Sequence, residues 1–501
     1  MTSAHSLADL HGLTAHERQS VERRLVGPHL DTTFYVTHYG ATMAKDGFDD
    51  PVAHFCATGW EHLLKPSPDF DTWWYWANYL DPSTATVNPL LHYILEGRAL
   101  GNSPIPHYGA AAVPAPLPTD RPVRRATLFA FFDTEGQIDE SVILYLRDLS
   151  RFSDVYFLAD GYLDESELAK VSSVTQGAWA VRHGAYDFGS YSMLARELVG
   201  WKRLEAYDEV LFVNDSCFLV RPLDELFAEM AERPSPWWGL QATKGIAKTR
   251  DQQGNDFPEP IPLDTVRTRL LPGYEKDPIY DFLVGSYFLA FRRPVLDDPR
   301  FRALIDSVHE QPSKLLVIQK YEVGLTHLLI GRGFGFDTFI TALYPFHPVF
   351  TSWYFELLRE GFPLLKRYFL YQNHYDVPGL AEWKSMVTAV VPEAPVDLFE
   401  ATLLRTSPAD RLARSLSLVA GPDGAAVKPK FTRGKVFKRR DAVKPKDPAC
   451  WVFATDRVTG LLPRVFVPCW KRCATIRRSG RSSSPGTDRC SWAGAISSCC
   501  H

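Results

Sequence analysis

The stretch Tyr207-Asp-Glu-Val-Leu-Phe-Val-Asn214-Asp215-Ser216 runs an apolar strand directly into a polar cluster. In an open α/β sheet, ligands bind outside the carboxyl ends of the strands. Asp215 therefore stands where a carboxylate can hold a divalent cation, Mg2+ or Mn2+, that bridges a diphosphate, because such hard ions take oxygen ligands. Asn214-Asp215-Ser216 is also a run of turn-forming residue types, and the local sequence leaves both readings open.

Upstream, Arg182-His183-Gly184-Ala185-Tyr186-Asp187-Phe188-Gly189-Ser190-Tyr191 joins a strand to a helix. Gly184 and Gly189 permit close backbone approach, and Ser190 is expected to cap a helix whose amino end favours an anion. Asp187-Phe188-Gly189 invites a kinase reading, which fails for want of a Gly-rich loop before it and a His-Arg-Asp catalytic loop. Gly331-Arg332-Gly333-Phe334-Gly335 has the wrong spacing for a dinucleotide fingerprint and reads as a loop. Downstream, Lys320-Tyr321-Glu322-Val323-Gly324-Leu325-Thr326 is expected to open a helix. Glu322 there is either a charge answering the helix dipole or a general base, and spacing alone does not decide.

These residues need a scaffold, and residues 126–390 alternate strand and helix signals. Thr127–Phe132, Asp154–Ala159, Gly177–Val181 and Glu209–Val213 are short apolar runs of the kind buried in parallel sheets. Helical patterns over Glu140–Leu149, Asp164–Val171 and Ser190–Trp201 separate them, and Gly285–Phe291 reads as a further strand. The expectation is a doubly wound α/β sheet with helices on both faces.

Ahead of it lies an internal repeat. Asp31-Thr-Thr-Phe-Tyr35, Asp50-Pro51-Val-Ala-His54-Phe55 and Gly59 recur as Asp71-Thr-Trp-Trp-Tyr75, Asn88-Pro89-Leu-Leu-His92-Tyr93 and Gly97. Each copy reads as two short helices, opened by Asp caps and early prolines. Gly59 and Gly97 are expected to be left-handed helix ends, and His54 and His92 to serve packing or capping rather than metal. Neither copy can bury its aromatic face alone, so the two are expected to stack. The organisation is thus an extension over 1–30, two repeats over 31–104, a Pro/Ala-rich linker over 105–125, the α/β domain over 126–390 and a basic, poorly ordered tail over 391–501.

The bulk composition is that of a globular protein, with 45% hydrophobic and 23% charged residues in 501. A formal net charge of -4 gives no reason to expect nucleic acid. Aromatic residues make up 13%; flat rings suit the apolar faces of sugars, and they also fill cores. Only Cys56 and Cys217 precede residue 450, so no disulfide framework is expected in the folded part, and the later cysteines fit no zinc spacing. Neither a signal peptide nor an apolar run of about 18 residues is present, which predicts a cytoplasmic protein. From Ala426 onward 17 Lys and Arg face 4 Asp and Glu; Lys428–Lys446 is a candidate for contact with the inner face of an anionic membrane. The last thirty or so residues change composition so abruptly that they read as a frame-shifted or read-through end.

Taken together, the ordered segments resemble the rhamnan synthesis protein F family of bacterial polysaccharide enzymes. The resemblance runs through Ala130-Phe-Phe-Asp133-x-x-Gly136, Arg182-x-Gly184-x-Tyr-Asp187-Phe-Gly189-Ser-Tyr191 and Leu211-x-x-Asn214-Asp215-Ser216. It continues through Trp238-Gly239-Leu240, Ser286-Tyr287-Phe288-Leu-x-Phe291-Arg292, Tyr321-Glu322-Val-Gly324-Leu325-Thr326 and Gly361-Phe362-Pro363-Leu-Leu-Lys366. The repeats look like modules that accompany bacterial glycosyltransferases. The resemblance implies a glycosyltransferase A-like nucleotide-binding sheet, a nucleotide-sugar donor such as dTDP-rhamnose, and a lipid-linked or oligosaccharide acceptor. Asp215 would then hold the metal or orient the diphosphate, with Asp133, Arg182, Asp187, Asn214 and Ser216 around the donor and Glu322 as base. Related folds carry Asp-x-Asp at this position; here a single carboxylate stands in the Asn214-Asp215-Ser216 segment. The competing class is a non-catalytic carbohydrate-binding or scaffold protein with the same fold. A phosphosugar transferase would want more basic residues near Asp215 than Arg221.

Overall fold

A computed structural model of the chain describes residues 6–80, 87–106, 114–244, 259–271, 282–421 and 426–427. The basic stretch Lys428–Lys446 and everything after it lie outside the described residues. The chain divides into two compact units, one of Met1–Arg367 with Val390–Thr406 and one of Tyr368–Ala389 with Ser407–His501. In the second, which also holds the short helix Trp383–Thr388, the helix Ala409–Leu416 is tied by Arg414 to Asp376 at 2.8 Å and by the Ser415 hydroxyl to the Leu370 carbonyl at 2.5 Å.

The first unit is built on a seven-stranded, mostly parallel sheet. Its strands are β1 Arg125–Phe131, β2 Asp154–Ala159, β3 Gly177–Ala180, β4 Glu209–Asn214, β5 Trp237–Gly239, β6 Phe288–Arg292 and β7 Phe336–Thr338. The spatial order is β7-β5-β6-β4-β1-β2-β3. The β1–β2, β1–β4, β2–β3 and β5–β7 pairs are parallel, and β6 alone runs antiparallel between β4 and β5. All six residues of β4 are buried, as are all but the first of β1; strands covered on both faces read as unbroken apolar runs.

This topology gathers chemistry at one edge. Ala130 pairs with Asn214, and Phe288 with Val213, so the carboxyl ends of β1 and β4 meet the amino end of β6. The opposite edge is pinned by a buried ionic network. Glu209 accepts from Arg292 Nε at 2.9 Å, from Trp238 Nε1 at 2.8 Å and from Arg125 Nε at 2.8 Å. The remaining Arg292 nitrogens reach the carbonyls of Ala115, Arg233 and Met230.

Several local expectations are corrected. Ser190 does not cap a helix: the helix runs Tyr186–Met193, continues as a wide turn over Leu194–Leu198 and breaks at Gly200, φ 84°. Ser190 is buried in mid-helix, bonded to His183 Nε2 at 3.0 Å. The strand expected over 285–291 starts late: β6 begins only at Phe288, and the residues just before the expected span, Leu283–Val284, pair instead with Ala242–Thr243. In the linker, Ala115 and Leu117 are buried, and Ala115 donates to the Pro234 carbonyl at 2.7 Å. Residues 391–406, read from sequence as tail, include the Val396–Thr406 helix of the first unit, whose Phe399 stacks on Phe218.

The repeats form two similar helical corners. Tyr35 and Tyr75 hydrogen-bond the Nδ1 of His54 and His92 at 2.9 and 2.7 Å. One apolar core joins both copies to the helix Ala15–Val26. Gly59 and Gly97 do not have positive φ; both lie in wide helical turns. They are glycines because a Cβ would stand 2.2 Å from the Tyr35 hydroxyl and 1.8 Å from that of Tyr75. The second copy also inserts Trp73, Trp74 and Trp76 into the main core, against the helix Gly324–Gly331.

Candidate active site

β4 delivers Asn214 at its end, with Asp215 and Ser216 in the turn that follows. Asn214 is buried, and its side-chain amide donates to Asp187 Oδ2 at 2.8 Å. That bond joins two motifs 27 residues apart. Asn214 Oδ1 in turn accepts from both the backbone N–H and the hydroxyl of Ser216. Asp215 N–H bonds the Ala130 carbonyl at 3.1 Å, which fixes the carboxylate over the strand ends.

Asp187 sits in the first turn of the Tyr186–Met193 helix. The preceding loop is shaped by Asp160, whose Oδ1 accepts from the N–H groups of His183 and Gly184 at 2.9 and 3.1 Å. Gly189 is required because a Cβ would lie 2.5 Å from the His183 ring. The close approach expected at this glycine is thus made by the protein's own imidazole. Tyr186 is left-handed at φ 56° and exposed, an uncommon state for a non-glycine residue and one that gathers at functional sites.

Glu322 is not near a helix start. It lies in a wide turn, Ile318–Val323, between the helical segments Lys314–Val317 and Gly324–Gly331, so the dipole explanation does not apply. Wide turns inside helices concentrate at functional sites. The N–H and hydroxyl of Ser286 donate to Glu322 Oε1 at 3.2 and 2.7 Å; among the described residues Oε2 accepts no hydrogen bond. Burial, and next the charge of Glu322, push the Asp187 carboxyl above its ordinary value.

Three cations complete the edge. Leu364–Lys366 pairs antiparallel with Cys217–Leu219, with Lys366 opposite Cys217. Lys366 Nζ donates to the Ser216 hydroxyl at 2.8 Å and lies 4.2 Å from the Tyr287 ring centre. Arg367 Nη1 meets Asp215 Oδ2 at 3.3 Å. Asp215 is pushed up to about 6 by burial, against the pull of Arg367 and with help from Asp133 and Asp187. Arg405 forks onto Asp133 and Asp139, its Nη2 lying 2.7 Å from each. Burial would raise Asp133, but this guanidinium and the N–H groups of Gln137 and Glu135 hold it below the usual carboxylate range.

Of the residues singled out in the sequence, Asp187, Asn214, Asp215 and Ser216 are brought together, and Glu322 is near enough to act on Asp187. Asp133 is engaged by Arg405 rather than standing open to a donor. Arg182 is exposed, without a hydrogen bond or ion pair to another described residue. Arg367 and Arg405 were missed. Lys366 was seen only as the end of a motif, although basic residues directly after the apolar pair Leu364-Leu365 were a legible signal.

Asp215 as the metal ligand meets a competitor. It is the one carboxylate of its segment, its Oδ2 faces Arg367, and Lys366 stands beside the neighbouring Ser216. Among the described residues no group of three or more His, Cys, Asp or Glu is placed to hold a metal ion. These side chains do not by themselves make a site for Mg2+ or Mn2+, which asks for several anionic or neutral oxygens.

No helix of the described residues is long and apolar enough to cross a membrane. Three aromatic rings are exposed just beyond β1, β2 and β3: Phe132 and Tyr162 on loops, and Tyr186 at the start of its helix.

Residues 155–407, half of the chain, match the family model of rhamnan synthesis protein F. No curated protein matches. Among solved structures, core-mannan synthase A (CmsA/Ktr4) of Aspergillus fumigatus in its Mn/GDP form is similar at 13% identity over 44% of this chain and 77% of that one, TM-score 0.25. The mannosyltransferase Ktr4p of S. cerevisiae in complex with GDP is similar at 10% over 48% and 72%, TM-score 0.27. Mouse xyloside xylosyltransferase 1 is similar at 13% over 52% and 96%, TM-score 0.23.

Proposed function

The chain belongs to the rhamnan synthesis protein F family, and we propose that it is a glycosyltransferase that moves a sugar from a nucleotide-sugar donor to a hydroxyl of a growing polysaccharide. Rhamnose from dTDP-rhamnose is the first donor to test, and a lipid-linked or oligosaccharide glycan the first acceptor. One observation carries the reading: Asp187, Asp215 and Glu322 share a sheet edge with Lys366 and Arg367. That arrangement supplies acids for hydroxyl groups and cations for a diphosphate.

In this reading Glu322 is the base. Ser286 holds one carboxylate oxygen, so the other is left to take the proton of the acceptor hydroxyl. Asp187, oriented by Asn214, binds sugar or ribose hydroxyls. The exposed rings of Phe132, Tyr162 and Tyr186 offer flat faces to a base or a sugar. Direct displacement at the anomeric carbon, with inversion, is the simplest step such a site supports.

The test is nucleoside diphosphate release from a panel of nucleotide sugars, with glycan acceptors present. Donor-selective turnover that falls at least about 100-fold in Glu322→Gln supports the reading. A folded protein that binds glycans and turns over no donor would instead be a carbohydrate-binding scaffold.

A further inference from the structure

We propose that Lys366 and Arg367 form a cationic cradle for the donor's diphosphate and take up the leaving-group charge that a metal-binding strand end would pass to a divalent cation. The inference rests on the glycosyltransferase reading above and adds the group that stabilises departure.

The backbone places both cations. The register of Leu364–Lys366 against Cys217–Leu219, with Arg367 N–H on the Ser216 carbonyl at 3.0 Å, sets them directly over the β4 turn. That turn lies at the carboxyl edge, where an α/β sheet binds phosphate ligands.

Their present partners leave them unsatisfied. Lys366 is half-buried, donates to a neutral hydroxyl and faces a ring, and has no carboxylate at ion-pair distance among the described residues. Its charge acts on Asp187 through space without forming an ion pair, and a partly desolvated ammonium so placed draws an arriving anion. Arg367 makes a single 3.3 Å contact to Asp215, and its Nε is buried without a hydrogen-bond partner. A guanidinium with donors to spare is suited to forked contact with phosphate oxygens.

The chemistry balances without a metal. The bond from the anomeric carbon to the phosphate oxygen breaks, and its electron pair goes to that oxygen. The acceptor oxygen forms the new bond to the anomeric carbon, and its proton passes to Glu322. The departing nucleoside diphosphate gains one negative charge, which Lys366 and Arg367 neutralise in place.

Calorimetric titration of the full chain with UDP, GDP and dTDP, in excess EDTA and again with Mn2+, tests this. Lys366→Met, Lys366→Arg and Arg367→Gln are measured beside the wild type. The expected result is binding of one diphosphate in EDTA, weakened at least about 10-fold in Lys366→Met and Arg367→Gln and largely restored in Lys366→Arg. Binding that requires Mn2+ and ignores Lys366→Met overturns the cradle while leaving the transferase reading intact. A wild type that binds none of the three in either buffer fails the transferase reading first. If Lys366→Met unfolds, the Arg367→Gln and Lys366→Arg titrations decide.

Discussion

Trp73, in the second repeat, donates its indole N–H to the carbonyl of Lys320 at 3.0 Å. Lys320 lies two residues from Glu322, in the same wide turn. The repeat module is therefore bonded to the backbone that carries the candidate base. Gly324 is part of the contact, since a Cβ there would stand 2.5 Å from the Trp73 ring. Trp73→Phe keeps most of the packing and removes the bond. It is expected to lower kcat about 10-fold with little change in donor KM, because a misplaced base costs rate rather than binding. A rise in KM at constant kcat would show that Trp73 does not position Glu322.

Gly97 tests the basis of the repeat. The Tyr75 hydroxyl, held by His92 and by Asn102 at 3.0 Å, occupies the space a Cβ would need. Gly97→Ala should destabilise the protein by about 1–3 kcal/mol through overpacking. Tyr75→Phe removes the obstructing oxygen, so the double variant should lose less than the two singles combined. Strict additivity in urea melts would rule out this clash as the reason for the glycine.

Glu209 tests the pinned edge. It is fully buried and holds Arg292, which is 2% exposed. Glu209→Gln leaves that guanidinium without its anion, and removing one partner of a buried pair costs about 3–5 kcal/mol. The loss should appear as a lower urea midpoint, while kcat of the folded enzyme stays near wild type, because the network lies at the edge away from Asp215. A loss below about 1 kcal/mol would mean that Arg292 is satisfied by its carbonyl contacts alone.

Much of this architecture could be read locally. β1, β2 and β4 are apolar runs with turn residues after them, so Asp215 at a strand end follows from its neighbours in sequence. Asp187 stood out because its loop is crowded with Gly and polar residues. What local pattern did not carry were pairings over long separations. Lys366 meets Ser216 across 150 residues, and Arg405 meets Asp133 across 272. Both cations sit in segments whose own periodicity says nothing about the partner. The glycines misled for a related reason: a helix-ending Gly and a Gly under a tyrosine hydroxyl look alike until the ring is placed. Ser190 is a good cap by type, yet the helix starts earlier, where Asp160 gathers the loop's N–H groups.

The last prediction concerns acid. His327 is buried, stacked on Trp73 with ring centres 5.2 Å apart, and lies 3.4 Å from Asp71 Oδ2, which also meets Lys65 Nζ at 3.2 Å. Burial drives the His327 pKa down to about 4, despite the Asp71 charge, and Lys65 adds to the drop. The unfolded chain takes up the proton near pH 6.5, whereas the fold resists it until about pH 4. Between these values the unfolded state holds the extra proton, so stability falls as pH falls; above the window the contribution is constant. The loss through His327 is on the order of 2–3 kcal/mol. Asp71 is coupled to it: burial opposes its ionisation, but Lys65, His327 and the Trp74 N–H outweigh that and hold its carboxyl below the usual value, so its contribution is lost only in stronger acid. Urea unfolding at pH 7, 6, 5 and 4.5 measures the slope directly. His327→Gln should flatten it between pH 6.5 and 4.5 even where the variant is less stable overall. An unchanged slope would place the acid sensitivity elsewhere in the fold.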